Sequence, residues 1–167
     1  KSFYGDKERL LFHADLGMAF LRSGDLKKAD QELKLADEII DEMYKKDLPG
    51  TVMAFTLSEG MTEFSGEAYE QVQVPVFRAL INAELGNWEN AAAFSRRAND
   101  RIKENIRVLS KAHGYQIDPA DAKSKTEKSI AWHYVADAFA YYVASVAYHN
   151  QGDLENSLVA ARNSVSA

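Results

Sequence analysis

Leu21-Arg22-Ser23-Gly24-Asp25-Leu26, Glu84-Leu85-Gly86-Asn87-Trp88 and Asn150-Gln151-Gly152-Asp153-Leu154 carry one phrase three times: glycine, then Asp or Asn, then a large apolar residue. Glycine reaches the left-handed backbone that ends a helix, and a following Asp or Asn side chain accepts an orphan N–H of the next helix. Glu89 and Glu155 follow the second and third caps, where a negative charge favours a helix N-terminus. Each phrase therefore predicts two helices joined by a very short turn.

Working outward, both flanks of each turn are apolar at helical spacing. Leu10, Leu11, Ala14, Gly17, Met18 and Leu21 precede the first turn, and Leu26, Ala29, Leu33, Ala36, Ile39 and Ile40 follow it. The second turn lies between Val72, Val76, Leu80, Ala83 and Trp88, Ala91, Ala92, Ala98, Ile102. The third lies between Ala138, Tyr141, Ala144, Tyr148 and Leu154, Leu158, Ala161, Val165. The expected fold is all-α, with helical hairpins at about 6–46, 67–111 and 130–166. Insertions at about 48–66 and 112–129 separate them. The first contains Pro49-Gly50, Gly60 and Gly66; the second contains Gly114, Asp118-Pro119 and the polar run 123–126, and a further helix over 119–129 is the alternative there.

Aligned on the turn glycines, the small residues coincide. Gly17, Phe20, Ala29, Leu33 and Ala36 in the first unit correspond to Ala79, Ala91 and Ala98 in the second, and Ser145, Tyr148, Ser157 and Ala161 in the third. Close helix crossings tolerate only small residues. In this pattern the chain resembles tetratricopeptide (TPR) repeats, although Arg78 stands where a large apolar residue is usual and the hairpins are too far apart for adjoining repeats. The resemblance implies one TPR-like superhelical domain over 1–167. Two stretches, 66–72 with 79–86 and 96–99, and then 137–141, are further similar to an uncharacterised group of bacterial cell-envelope lipoproteins. That likeness implies a periplasmic or envelope location. The group's export signal and lipidated cysteine are absent here; because the sequence begins at Lys1, a lipid anchor is expected on a missing N-terminus.

Composition narrows the function classes. The formal charge is −5, which argues against nucleic acid as a partner. The basic concentration Arg96, Arg97, Arg101, Lys103, Arg107, Lys111 is interrupted by Asp100 and Glu104 and reads as a solvated helix face. With no cysteine, disulfides, thiolate metal sites and cysteine nucleophiles are excluded. No apolar run has the length of a membrane span. His13 reads as a half-buried packing residue, and His133 with Asp137 as a surface or structural pair lacking a third ligand. No phosphate loop, serine elbow or paired catalytic signature appears, so no catalytic residue, metal or cofactor is assigned.

Binding is the expected activity. In stacked hairpins the first helices line the inner face. The TPR likeness assigns to it Met18, Leu21 and Arg22; Gln73, Leu80 and Glu84; and Phe139, Tyr142, Val146 and His149. Their mix of aromatic, aliphatic and charged groups suits a protein or peptide ligand. The insertion's own apolar residues, among them Phe55, Met61 and Phe64, are an equal claimant to that face. Gly24, Gly86, Gly152, Arg96, Arg97 and Asn99 form the structural motif, with Arg97 expected to clamp Glu67 or Glu70. The alternatives are a self-associating homo-oligomer, favoured by Leu158 and Val159 on the last helix, and a hydrolase or metal-dependent enzyme whose site is assembled across the fold.

Overall fold

A computed structural model describes residues 5, 8–46, 68–113 and 137–167. The two expected insertions lie almost wholly outside the described residues, as do the alternative helix over 119–129, His133, Glu67 and the apolar residues of the first insertion. Among the described residues every regular element is a helix, and the six pair into three hairpins. They are α1 (Arg9–Ser23) with α2 (Leu26–Lys46), α3 (Ala68–Glu84) with α4 (Trp88–His113), and α5 (Ala138–Gln151) with α6 (Leu154–Ser166). The chain divides into two compact units, Lys1–Glu67 and Ala68–Ala167.

The three turns are built alike. Gly24, Gly86 and Gly152 have φ of 81°, 74° and 92°, and among the described residues no other residue has a positive φ. In the first turn Gly24 N–H donates to Leu21 O at 3.1 Å and Asp25 N–H to Phe20 O at 3.0 Å. The same pair recurs as Gly86 to Ala83 (2.9 Å) and Asn87 to Asn82 (2.8 Å), and as Gly152 to His149 (3.0 Å) and Asp153 to Tyr148 (2.9 Å). This double closure is the Schellman motif. The residue after each glycine then serves the next helix. Asp25 Oδ1 accepts from Lys28 N–H (3.2 Å), Asn87 Oδ1 from Asn90 N–H (3.4 Å), and Asp153 Oδ1 from Asn156 N–H (3.2 Å). One side chain thus stands at the end of one helix and caps the start of the next.

In the first unit α1 packs along α2. Ala29, Leu33, Ala36, Ile39 and Ile40 form the buried stripe of α2. Burying a side chain such as Leu33 or Ile40 stabilises by about 1.5–3 kcal/mol. Gly17 is the point of closest approach: a Cβ there would lie 2.7 Å from Leu33 Cγ and 3.3 Å from its backbone nitrogen. His13, half-buried as its helical position suggests, sets Nδ1 2.8 Å from Glu32 Oε2 and so ties α1 to α2.

In the second unit α4 packs against both α3 and α5, and α5 against α6. Two clusters form its core. One joins Val72, Val76 and Ala79 of α3 to Ala98 and Ile102 of α4 and to Ala140 and Val143 of α5. The other joins Ala91 and Ala92 to Ala144, Ala147 and Tyr148, and to Ala160 of α6. Arg78, the departure from the apolar pattern, is buried with its guanidinium 3.9 Å from the Phe94 ring centroid. Its stem fills apolar space while its charge faces the ring's negative π-cloud. Pro75 sits inside α3, where it removes one backbone hydrogen bond, and it is fully buried.

Candidate functional site

The N-terminus of α5 is fixed by Asp137. Its backbone is extended (φ −109°, ψ 99°), and Oδ1 accepts from Ala140 N–H at 3.0 Å. The other oxygen, Oδ2, accepts from the Gln73 side-chain amide of α3. One carboxylate therefore caps α5 and braces it to the preceding hairpin. An Asp opening an apolar helical run is a capping signal. As sequence, Asp137 stands beside His133 and opens the 137–141 stretch; its role as a cap emerges from the backbone around it.

Further along, α5 is fastened on two more sides. Ser157 Oγ donates to Ser145 O at 2.9 Å, joining α6 to α5. On the α4 side the Arg96 guanidinium lies 5.8 Å from the Tyr148 ring centroid, and the Asn99 side chain lies beside the Tyr148 hydroxyl. Burial, rather than charge, pushes the Tyr148 hydroxyl above its ordinary titration range, and does the same at Tyr141, with the Asp137 charge second. Asn99 Oδ1 is enclosed and has no hydrogen-bond partner. Arg96 and Asn99, named as structural residues, thus converge on one tyrosine; Arg97 is half-buried on α4.

With its inner face occupied by Ala140, Val143, Ala144, Ala147 and Tyr148, α5 still turns large apolar groups outward. Phe139 is 44% exposed, Tyr142 58% and Val146 36%, at i, i+3 and i+7 on one face of the helix. His149, one further step along, is also exposed. On α6, Leu154, Leu158 and Val165 repeat at steps of four and seven and are exposed by 62%, 53% and 89%. Helical spacing alone reads Leu154 and Val165 as packed positions; they face solvent because α6 lies on α5 by one narrow face centred on Ala160. A helix that is apolar around most of its circumference is normally buried, so α5 is the anomaly of the described structure.

The ten residues assigned to an inner face divide. Phe139, Tyr142, Val146 and His149 share one open face of α5. Gln73 is spent on Asp137, and Leu80 packs against the cluster that contains Ala140 and Val143. Glu84 is exposed at the end of α3. Met18 and Leu21 are half-buried and Arg22 exposed on α1, within the first unit. Among the described residues no three His, Cys, Asp or Glu side chains gather as a metal site would require. No helix among them is long and apolar enough to cross a membrane. Compared with family models, curated proteins and solved structures, the chain matches none.

Proposed function

We propose that this chain is a non-catalytic scaffold of TPR-like hairpins that captures a protein or peptide, working in the bacterial cell envelope. The observation that carries the binding reading is the Phe139–Tyr142–Val146 stripe, held open on a helix pinned at Asp137, Ser145 and Tyr148. Aromatic anchors on a rigid element bind with little ordering cost, since neither the backbone nor a two-torsion ring has much freedom to lose. The envelope location rests on the lipoprotein likeness alone, and the superhelical arrangement on the TPR likeness.

Tyr142→Ala tests the reading, because Tyr142 is more than half exposed and little of the fold depends on it. The expected outcome is an unchanged melting temperature together with loss of a protein that the wild type retains from envelope extract. Retention of the same proteins by both forms would remove α5 as the capture face. A Tyr142→Ala chain that unfolds would mean that the residue belongs to the core. The exposed Leu158 favours self-association as a second use of the same hairpin.

A further inference from the structure

Aligned on Gly86 and Gly152, the exposed residues of the third hairpin fall on positions that the second hairpin uses to hold the third. Val76 and Leu80 pack with Ala140 and Val143, and Ala92 with Ala144, Ala147 and Tyr148. Their equivalents are Tyr142, Val146 and Leu158, all exposed. Arg96 and Asn99, which meet Tyr148, correspond to Arg162 and Val165, also exposed. The α5–α6 hairpin thus repeats part of that stacking face, at positions 142, 146, 158, 162 and 165, and no described element covers it.

The complementary face exists elsewhere in the chain. Aligned on Gly24 and Gly152, the residues of α5 that enter the stack (Ala140, Val143, Ala144, Ala147, Tyr148) become Phe12, Asp15, Leu16, Ala19 and Phe20 of α1. Phe12, Asp15 and Ala19 are exposed, and Leu16 and Phe20 half-buried. At the Phe20 end the substitutions match in pairs. Tyr148 offers a hydroxyl and meets Asn99; Phe20 has none and would meet Val165. Arg96 lies over Tyr148, and Arg162 would lie over Phe20, a ring that already accepts Lys28 Nζ at 5.3 Å.

We infer that the α5–α6 face binds α1 of a second copy of this chain, head to tail, in the register by which the second hairpin holds the third. This names the partner of the face proposed above and rests on that reading. Such an interface is heterologous, so every open assembly keeps one free head and one free tail and grows with concentration.

Sedimentation velocity on the purified chain tests this without any other protein present. The wild type is expected to grow in mass with concentration. A tail variant, Leu158→Asp with Tyr142→Asp, and a head variant, Ala19→Glu, alter exposed positions only. Each should keep its helical circular dichroism and sediment as a single protomer. An equimolar mixture should give a dimer and nothing larger, because one intact head meets one intact tail. Val165→Asn should weaken assembly about tenfold by burying an unpaired amide, and Phe20→Tyr in the same chain should restore it. A wild type that stays a single protomer at every concentration overturns the inference. So does a head variant that associates as the wild type does, which would indicate a symmetric tail-to-tail pair. If self-association fails while Tyr142→Ala still loses an envelope protein, the scaffold reading stands and only the second copy is ruled out.

Discussion

Gly17 in the first hairpin and Ser145 in the third occupy the same place before their turns, but they meet different partners. Gly17 makes room for Leu33, which is buried to 1% exposure; the residue equivalent to Leu33 in the third hairpin is Ala161. The first hairpin therefore uses its smallest residue to take a large one into its own interface. The third closes over smaller residues, Ser145, Ser157 and Ala161, and leaves Tyr142, Leu158 and Val165 outside. An identical turn thus supports one hairpin that packs its bulk inward and another that presents it outward. Turn chemistry decides that a hairpin forms, while the distribution of volume along its two helices decides what remains for a partner.

Leucine truncation should show the contrast most strongly. Leu33→Ala is expected to cost about 3 kcal/mol in urea unfolding, whereas Leu158→Ala should stay within about 0.5 kcal/mol. Equal losses at both sites would erase the distinction between the hairpins. Gly17→Ala should cost about 1–3 kcal/mol through overpacking on Leu33, against a near-neutral Ser145→Ala. The double change Gly17→Ala, Leu33→Ala imitates the third hairpin's pairing, and its cost should fall short of the sum of the single changes.

Turn substitutions test what the hairpins share. Gly24→Ala and Gly152→Ala should each cost about 1 kcal/mol and by similar amounts, since only backbone strain is at issue: a Cβ at either site meets nothing within 4 Å. A β-branched residue at Gly86 should cost at least as much. The smallest expected effect is in acid. Asp25 is held below the ordinary carboxylate value of 3.8 chiefly by the Lys28 side chain, and Asp153 by that of Asn156. A lowered folded-state value means that the charged caps stabilise above that ordinary value and lose their contribution as pH falls through the depressed one. Thermal melts between about pH 5 and pH 2 should therefore flatten in Asp25→Asn and Asp153→Asn, which copy the non-titrating Asn87 of the second turn.

What was legible in the sequence follows from how local each cause is. Gly24, Gly86 and Gly152 with Asp25, Asn87 and Asp153 announced three turns because every bond in such a turn lies within a few residues of the glycine. Gly17 was legible as a close approach from its repeat position, and His13 as a half-buried residue from its helical one. Leu80 and Gln73 were assigned to an inner face by analogy, yet Leu80 packs on the α5 cluster and Gln73 reaches Asp137. Both contacts depend on where α5 lies against α3, which no local pattern encodes. Arg78 broke the apolar pattern without revealing Phe94 as its neighbour, sixteen residues later and across a turn. Leu158 was legible as apolar surface, while the exposure of Leu154 and Val165 followed from the narrowness of the α5–α6 contact.

The capping residue that serves two helices at once also bears on how the chain is made. Each turn closes with bonds drawn from six consecutive residues, and its cap reaches only three further. Nothing distant is required to start a hairpin. Helices relax in about a microsecond, while synthesis adds roughly 5–20 residues per second. A hairpin can therefore complete itself soon after it clears the ribosome, before the next one has been translated. Assembly of this chain then becomes a sequence of short closures, with the stacking of the second and third hairpins as the late step.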